Sequence, residues 1–143
     1  MILAVTVSQP CSSAYVLDYA TGHVDFVNAG HNPPLLWQQG TWRWLRESPS
    51  MPLGLFDDEL YPTYSLDCEP GDKILLYTDG VTEAFSVDDE QYGEDRLFRQ
   101  FQESSESHPR ELVDGVRASV AAYAAGAEQS DDITMLALEV ASV

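Results

Sequence analysis

The apolar periodicity of this chain changes character partway along, and that change limits the fold more than any other feature. Through residue 77, hydrophobic residues come in short runs or alternate, with Gly, Pro and Asn between them. That is the signature of strands and turns. Ser13 to Tyr19 reads as a strand closed by the turn Ala20-Thr21-Gly22, and His23 to Asn28 as its hairpin partner. Gly30 and the prolines of Ala29-Gly30-His31-Asn32-Pro33-Pro34 force a loop. Leu35 to Gln38 and Trp42 to Leu45 flank Gln39-Gly40 as a second hairpin, and Tyr61 to Leu66 alternates as another strand. After the turn Glu69-Pro70-Gly71-Asp72, Lys73 to Tyr77 is almost continuously apolar, which predicts a central strand covered on both faces.

The second half is helical in period. Leu97, Phe98 and Phe101 recur at helical spacing within Asp95 to Glu103. Leu112, Val113, Val116, Val120, Tyr123 and Ala124 share one face between Ser107 and Ala125. Ser107 is the expected N-cap, Pro109 suits the first turn, and Gly126 stands where the helix should stop. Ile133 to Val140 returns to strand alternation. Strands, two helices and a last strand predict an α+β layered domain with helices on one face of an antiparallel sheet.

The chain of 143 residues is long enough for one domain with a real core. Its apolar runs are too short to span a bilayer, and MILAVTV lacks the basic start and length of a secretory signal. A cytoplasmic address is the expectation. Cys11 and Cys68 stand apart with no CxxC spacing, so they read as reduced structural thiols. The three histidines lack zinc-ligand spacing, and Asp88-Asp89-Glu90 with Glu94-Asp95 lack the alternation of an EF-hand loop. With 24 acidic against 7 basic residues the net charge is −17, which disfavours nucleic acid and anionic lipid as partners.

Two acidic turns attract notice. Asp79 ends the apolar run ILLYTDG, and Asp131-Asp132 precede the last strand. In an antiparallel pair the end of one strand lies beside the start of its neighbour, so these acids could share one sheet edge. At a half-buried edge their mutual repulsion would be relieved by Mg²⁺ or Mn²⁺. Asp-Gly and Ser-Asp are equally at home as turn and capping pairs, and the spacing leaves both readings open.

Five stretches then occur in order: NAGHNPPLL (28–36), MPLGLF (51–56), EPGDKILLYTDGVTEA (69–84), YGEDRL (92–97) and SDDITMLALE (130–139). Together they resemble the C-terminal part of the bacterial PPM (PP2C-like) serine/threonine phosphatases, in the sporulation stage II E and sigma-factor regulator subgroup. The resemblance implies part of an α-β-β-α sandwich, with antiparallel sheets inside and helices outside. It places Asp79, the adjacent Gly80 and Asp131 at the metal site. Glu83, Asp132 and His31 fall at positions that could support it or approach an outer ion, although His31 reads equally well as a histidine tied into a Pro-rich turn.

In such enzymes two Mg²⁺ or Mn²⁺ ions activate a water that attacks the phosphoester in line, with no covalent enzyme intermediate. The substrate implied is a regulatory phosphoprotein such as an anti-sigma-factor antagonist. The sequence departs from the family at its start: neither the early acidic ligand nor the bridging Asp-Gly pair is visible before Asn28, and MILAVTVSQPCSSAYVLDYATGH contains Asp18 as its only acid. The expectation is a single, N-terminally truncated domain over 1–143 with weak activity in isolation, or alternatively a catalytically silent interaction module. Truncation would bare apolar faces. A homodimer or swapped assembly is therefore expected, with Phe56 a surface candidate and Trp37, Trp42 and Trp44 more at home in the core.

Overall fold

A computed structural model describes residues 2–9, 11–18, 20–47, 51–52, 55–104, 107–129 and 131–141, with backbone alone for 2–9, 11 and 12. Of the residues named above, Tyr19, Leu53, Gly54, Ser130 and the Cys11 thiol lie outside the described residues.

The strands are β1 (Ile2–Gln9), β2 (Cys11–Asp18), β3 (His23–Ala29), β4 (Leu35–Gln38), β5 (Thr41–Trp44), β6 (Tyr64–Asp67), β7 (Lys73–Tyr77) and β8 (Met135–Glu139). The helices are α1 (Asp79–Thr82), α2 (Gly93–Glu103) and α3 (Pro109–Ala124). Among the described residues all pairings are antiparallel, and they form two sheets, as the resemblance implies, in the orders β1-β2-β3-β6 and β5-β4-β7-β8. β1 was not anticipated. The opening residues become a strand because they pair with β2 along their whole length, from Ile2 opposite Asp18 to Gln9 opposite Cys11. β6 begins at Tyr64 and not at Tyr61, because Tyr64 is the first residue opposite β3, across from Phe26.

β7 explains the layering. It lies between β4 and β8, and all five of its residues are buried. Ile74 and Leu76 point into the core between the sheets, with Tyr15, Val24, Phe26, Leu36 and Leu45. Leu75 and Tyr77 point the other way, into the core against the helices, with Leu97, Phe101, Leu112, Val116 and Val120. A strand with two dry faces is expected to be nearly all apolar, and β7 is so from Ile74 on, with Lys73 at its entry the one charged residue. Each fully buried aliphatic side chain there contributes about 1.5–3 kcal/mol, and Leu75→Ala would cost about 2–5 kcal/mol.

α2 buries Leu97 and Phe101 and α3 buries Leu112, Val116 and Val120, while Phe98, Val113 and Tyr123 are half-buried against the same core and Ala124 is half-buried. The cap of α3 differs from expectation: His108, not Ser107, occupies the N-cap. The Arg110 amide donates to His108 Nδ1 at 3.3 Å, and the His108 amide donates to Glu111 Oε2 at 3.2 Å, a capping box built on His-x-x-Glu. Pro109 at the next position needs no amide partner, which moves the helix start past Ser107. The helix closes at Ala125 in the left-handed region (φ 48°), one residue before Gly126. Trp42 is buried, Trp37 and Trp44 are packed against the same helix-side core, and Phe56 is 60% exposed.

Candidate functional site

β7 and β8 run antiparallel with Tyr77 opposite Met135, so the residues after β7 lie beside those before β8. Thr78 fastens the two segments. Its amide donates to the Thr134 carbonyl at 3.0 Å, its hydroxyl donates to the Asp132 carbonyl at 2.8 Å, and it accepts from the Thr134 amide at 3.0 Å. Thr78 then starts the single turn α1, closed by the Glu83 amide donating to the Asp79 carbonyl at 2.7 Å.

Gly80 shows why a glycine follows the aspartate. A Cβ there would sit 2.5 Å from the Asp132 carbonyl oxygen and 3.1 Å from that of Asp131. Only a residue without a side chain lets the two backbones approach this closely. The structure thus brings Asp79, Gly80, Asp131 and Asp132 to one sheet edge. One oxygen of each flanking carboxylate is held by the next amide: Asp79 Oδ1 accepts from Gly80 at 3.1 Å and Asp131 Oδ1 from Asp132 at 2.7 Å.

These acids are exposed, not half-buried. Water solvates each of them, so repulsion alone does not require a cation here. Among the described residues no three His, Cys, Asp or Glu side chains form a metal-holding group. Two carboxylates plus water suit one Mg²⁺ or Mn²⁺. They do not make up the ligand set of the ion pair that the resemblance implies. Glu83 lies one turn on from Asp79, exposed.

His31 sits in the loop that enters β4 from the same end of the sheet, since Leu35 pairs with Leu75, two residues from the end of β7. Asn28 holds that loop: its Oδ1 accepts from the His31 amide at 2.7 Å and its Nδ2 donates to the His31 carbonyl at 2.8 Å. His31 Nδ1 lies 3.2 Å from the Asn32 carbonyl. This is the geometry of a histidine tied into its turn. Thr78 and Asn28 are positioning residues that pattern reading did not single out; their signal was their place in TDG and NAGH, directly beside the candidate ligands.

The other titratable features lie away from this edge. Cys68 is buried, and desolvation, reinforced by Asp72 and Asp67, pushes its thiol up to about 11, away from the range of an activated thiolate. His23, at the start of β3, has Nδ1 2.7 Å from Asp67 and Nε2 3.3 Å from Asp25. The bond to Asp67 is the main reason its pKa is raised. Asp25 accepts from Ser65 Oγ at 2.5 Å, which is the main reason its own pKa is lowered. No helix among the described residues is long and apolar enough to cross a membrane.

Residues 8–141 match the family described as stage II sporulation protein E (SpoIIE). The chain is 30% identical over 123 residues to protein IcfG of Synechocystis sp. (strain ATCC 27184 / PCC 6803 / Kazusa), covering 86% of this chain and 19% of that protein. It is 43% identical over 74 residues to phosphoserine phosphatase RsbP of Bacillus subtilis (strain 168), covering 50% of this chain and 18% of that one. The SiaA-PP2C domain of Pseudomonas aeruginosa superposes with a TM-score of 0.77 at 20% identity, over 90% of this chain and 51% of that one. The chain therefore spans under a fifth of these two curated relatives and about half of that solved domain.

Proposed function

Since the SpoIIE match runs across residues 8–141, the chain belongs to that family of PP2C-type phosphatase domains, and we propose that it serves metal-dependent hydrolysis of phosphoserine or phosphothreonine on a regulatory phosphoprotein. The observation that carries this reading is the meeting of the Asp79 and Asp131 segments across the β7–β8 edge, with Gly80 against the Asp132 carbonyl. Family membership and the PP2C fold support it further.

In this proposal Asp79 and Asp131 would hold one Mg²⁺ or Mn²⁺, with water completing the shell. The ion would supply an acidified water and charge neutralisation for the phosphoryl oxygens. The chain's own contribution is placement. Thr78 fixes the Asp132–Thr134 segment against β7, and Gly80 permits the close approach. The Gly80 and Asp132 amides orient the two carboxylates, and Asn28 sets the His31 loop. Glu83, Asp132 and His31 fill supporting positions around the same edge. An anti-sigma-factor antagonist is the proposed substrate type, the cytoplasm the proposed compartment, and a homodimer the proposed assembly. A sedimentation mass equal to one chain would count against that assembly.

A second reading, a silent interaction module, is favoured by one observation: no three-ligand group exists among the described residues. Hydrolysis of p-nitrophenyl phosphate in Mn²⁺ by the wild-type chain, Asp79→Asn and Asp131→Asn separates the two. Wild-type turnover that both substitutions abolish supports the phosphatase. Turnover indifferent to both refutes this site. Absent turnover, with Mn²⁺ raising the wild-type melting temperature only, leaves the silent module.

A further inference from the structure

The ring of His23 is held from both sides. Its Nδ1 lies 2.7 Å from Asp67 Oδ1 on β6, and its Nε2 lies 3.3 Å from Asp25 Oδ1 on its own strand, β3. Ionised carboxylates accept hydrogen bonds and do not donate them, so the arrangement is satisfied only when both ring nitrogens carry hydrogen, that is, by the imidazolium. Asp18 of β2, opposite His23 in register, lines the same surface hollow, with Thr21 and Val16. Among the described residues no lysine or arginine lines it. One titratable cation therefore stands among three carboxylates, and when it loses its proton no other counter-charge takes its place.

The position of the ring gives its proton a structural consequence. β6 is four residues long and forms the outer edge of its sheet. Asp67 is its last residue, and the next, Cys68, is buried in the core between the sheets. Gly22, the residue before His23, grips that cysteine. The Cys68 amide donates to the Gly22 carbonyl at 2.8 Å, and the Cys68 carbonyl leaves no room for a Cβ on Gly22. Gln38 of the other sheet donates to the Asp67 carbonyl at 2.9 Å. The His23–Asp67 pair thus closes the point at which the chain leaves one sheet for the other. We infer that His23 is a proton-operated latch: the imidazolium fastens the end of β6 to β3 and keeps Cys68 covered, and the neutral ring loosens that end. The linkage has the matching sign. The pKa of His23 is raised, first by the bond to Asp67, so the latch is closed below the ring's ordinary value and loosens as pH rises through the folded one. The pKa of Asp25 is lowered, chiefly by Ser65, which keeps that carboxylate charged across the same range. The ring is partly exposed, so the effect is a change in the frequency of local opening and not unfolding of the domain.

The test reads access to Cys68 in a Cys11→Ser chain, which leaves one thiol. That chain and its His23→Gln counterpart, their folds checked by circular dichroism, are labelled with 4,4′-dithiodipyridine at pH 5.5 and pH 8.5. Comparing the two at one pH cancels the ionisation of the thiol itself. At pH 5.5 His23→Gln should label about threefold faster, within the range of an exposed ion pair, and at pH 8.5 the two rates should agree. Equal rates at pH 5.5, or the same excess at both pH values, overturn the latch. Labelling no faster than the global unfolding equilibrium from urea allows also overturns it, since the whole domain would then be opening and not the end of β6. Nuclear magnetic resonance asks the same question without substituting His23. At pH 7 both ring nitrogens of His23 should carry protons, and the Cys68 amide should lose protection between pH 7 and pH 8.5 beyond what base catalysis accounts for. A ring with one bare nitrogen at pH 7, or an amide equally protected at both values, overturns the inference.

Discussion

The Thr78 hydroxyl spans the gap between the last two strands, donating to the Asp132 carbonyl at 2.8 Å while accepting from the Thr134 amide at 3.0 Å. One side chain therefore holds the segment carrying Asp131 and Asp132 beside the residue that precedes Asp79. The candidate acids are brought together by this clasp and by the adjacent strand pairing, not by contact with each other.

Replacing that hydroxyl should be felt directly. Thr78→Val keeps the shape but removes the partner of the Thr134 amide and the Asp132 carbonyl from exposed hydrogen bonds where water can take its place, so stability should fall by about 0.5–1.5 kcal/mol. Thr78→Ser should recover most of the loss. Urea unfolding followed by tryptophan fluorescence measures both, and a Thr78→Val chain as stable as wild type would show that the clasp is idle.

Gly80→Ala should be costlier than most exposed-site alanines. The new methyl would meet the Asp132 carbonyl at 2.5 Å, and that obstacle is backbone, which cannot rotate away. Overpacking of this kind costs about 1–3 kcal/mol. Separation of the two segments should weaken Mn²⁺ binding in parallel, measurable by calorimetric titration of the variant against wild type.

Metal dependence should appear in stability as well as turnover. Free Mn²⁺ at a hundred times its Kd should stabilise the wild-type chain by about 2.7 kcal/mol, reversibly with EDTA. Asp79→Asn and Asp131→Asn should each abolish the shift in melting temperature. Retention of the full shift in either variant would move the ion elsewhere.

The His23 cluster gives a pH signature far from the acids. His23 has its pKa raised, chiefly by the bond to Asp67, so its stabilising contribution is complete below the unfolded value and fades as pH rises through the folded one. Asp25 has its pKa lowered, chiefly by Ser65, so its contribution holds above the unfolded value and fades as pH falls through the folded one. The cross-strand link between β3 and β6 is thus strongest in mildly acidic solution, between these limits. The stability gap between wild type and His23→Gln should be larger at pH 5.5 than at pH 8.5. Equal gaps at the two values would show that the ring contributes no charge-dependent attraction.

Much of the candidate site could be read before any coordinates. Asp79 and Asp131 stand out in the sequence by turn position and by the TDG and SDDIT stretches, and antiparallel geometry gives them a common edge once β7 and β8 are neighbours, which the fold supplies. Two points were not readable. The exposure of both acids depends on which elements cover that edge, and no local pattern states it. The Thr78 clasp joins residues 54 and 56 positions apart in sequence, a separation over which pattern carries no signal.

Local periodicity settled where strands give way to helices, because a strand that is dry on both faces and a helix with one dry stripe impose different spacings on apolar residues. Turn chemistry settled where most of them end, because Gly and Pro restrict the backbone wherever they stand. Contact between distant segments settled the rest: the division into two sheets, the strand status of Ile2–Gln9, the move of the α3 cap to His108, and the approach of Gly80 to the Asp132 carbonyl. Pairing partners and close approaches are properties of two stretches at once, and neither stretch encodes them alone.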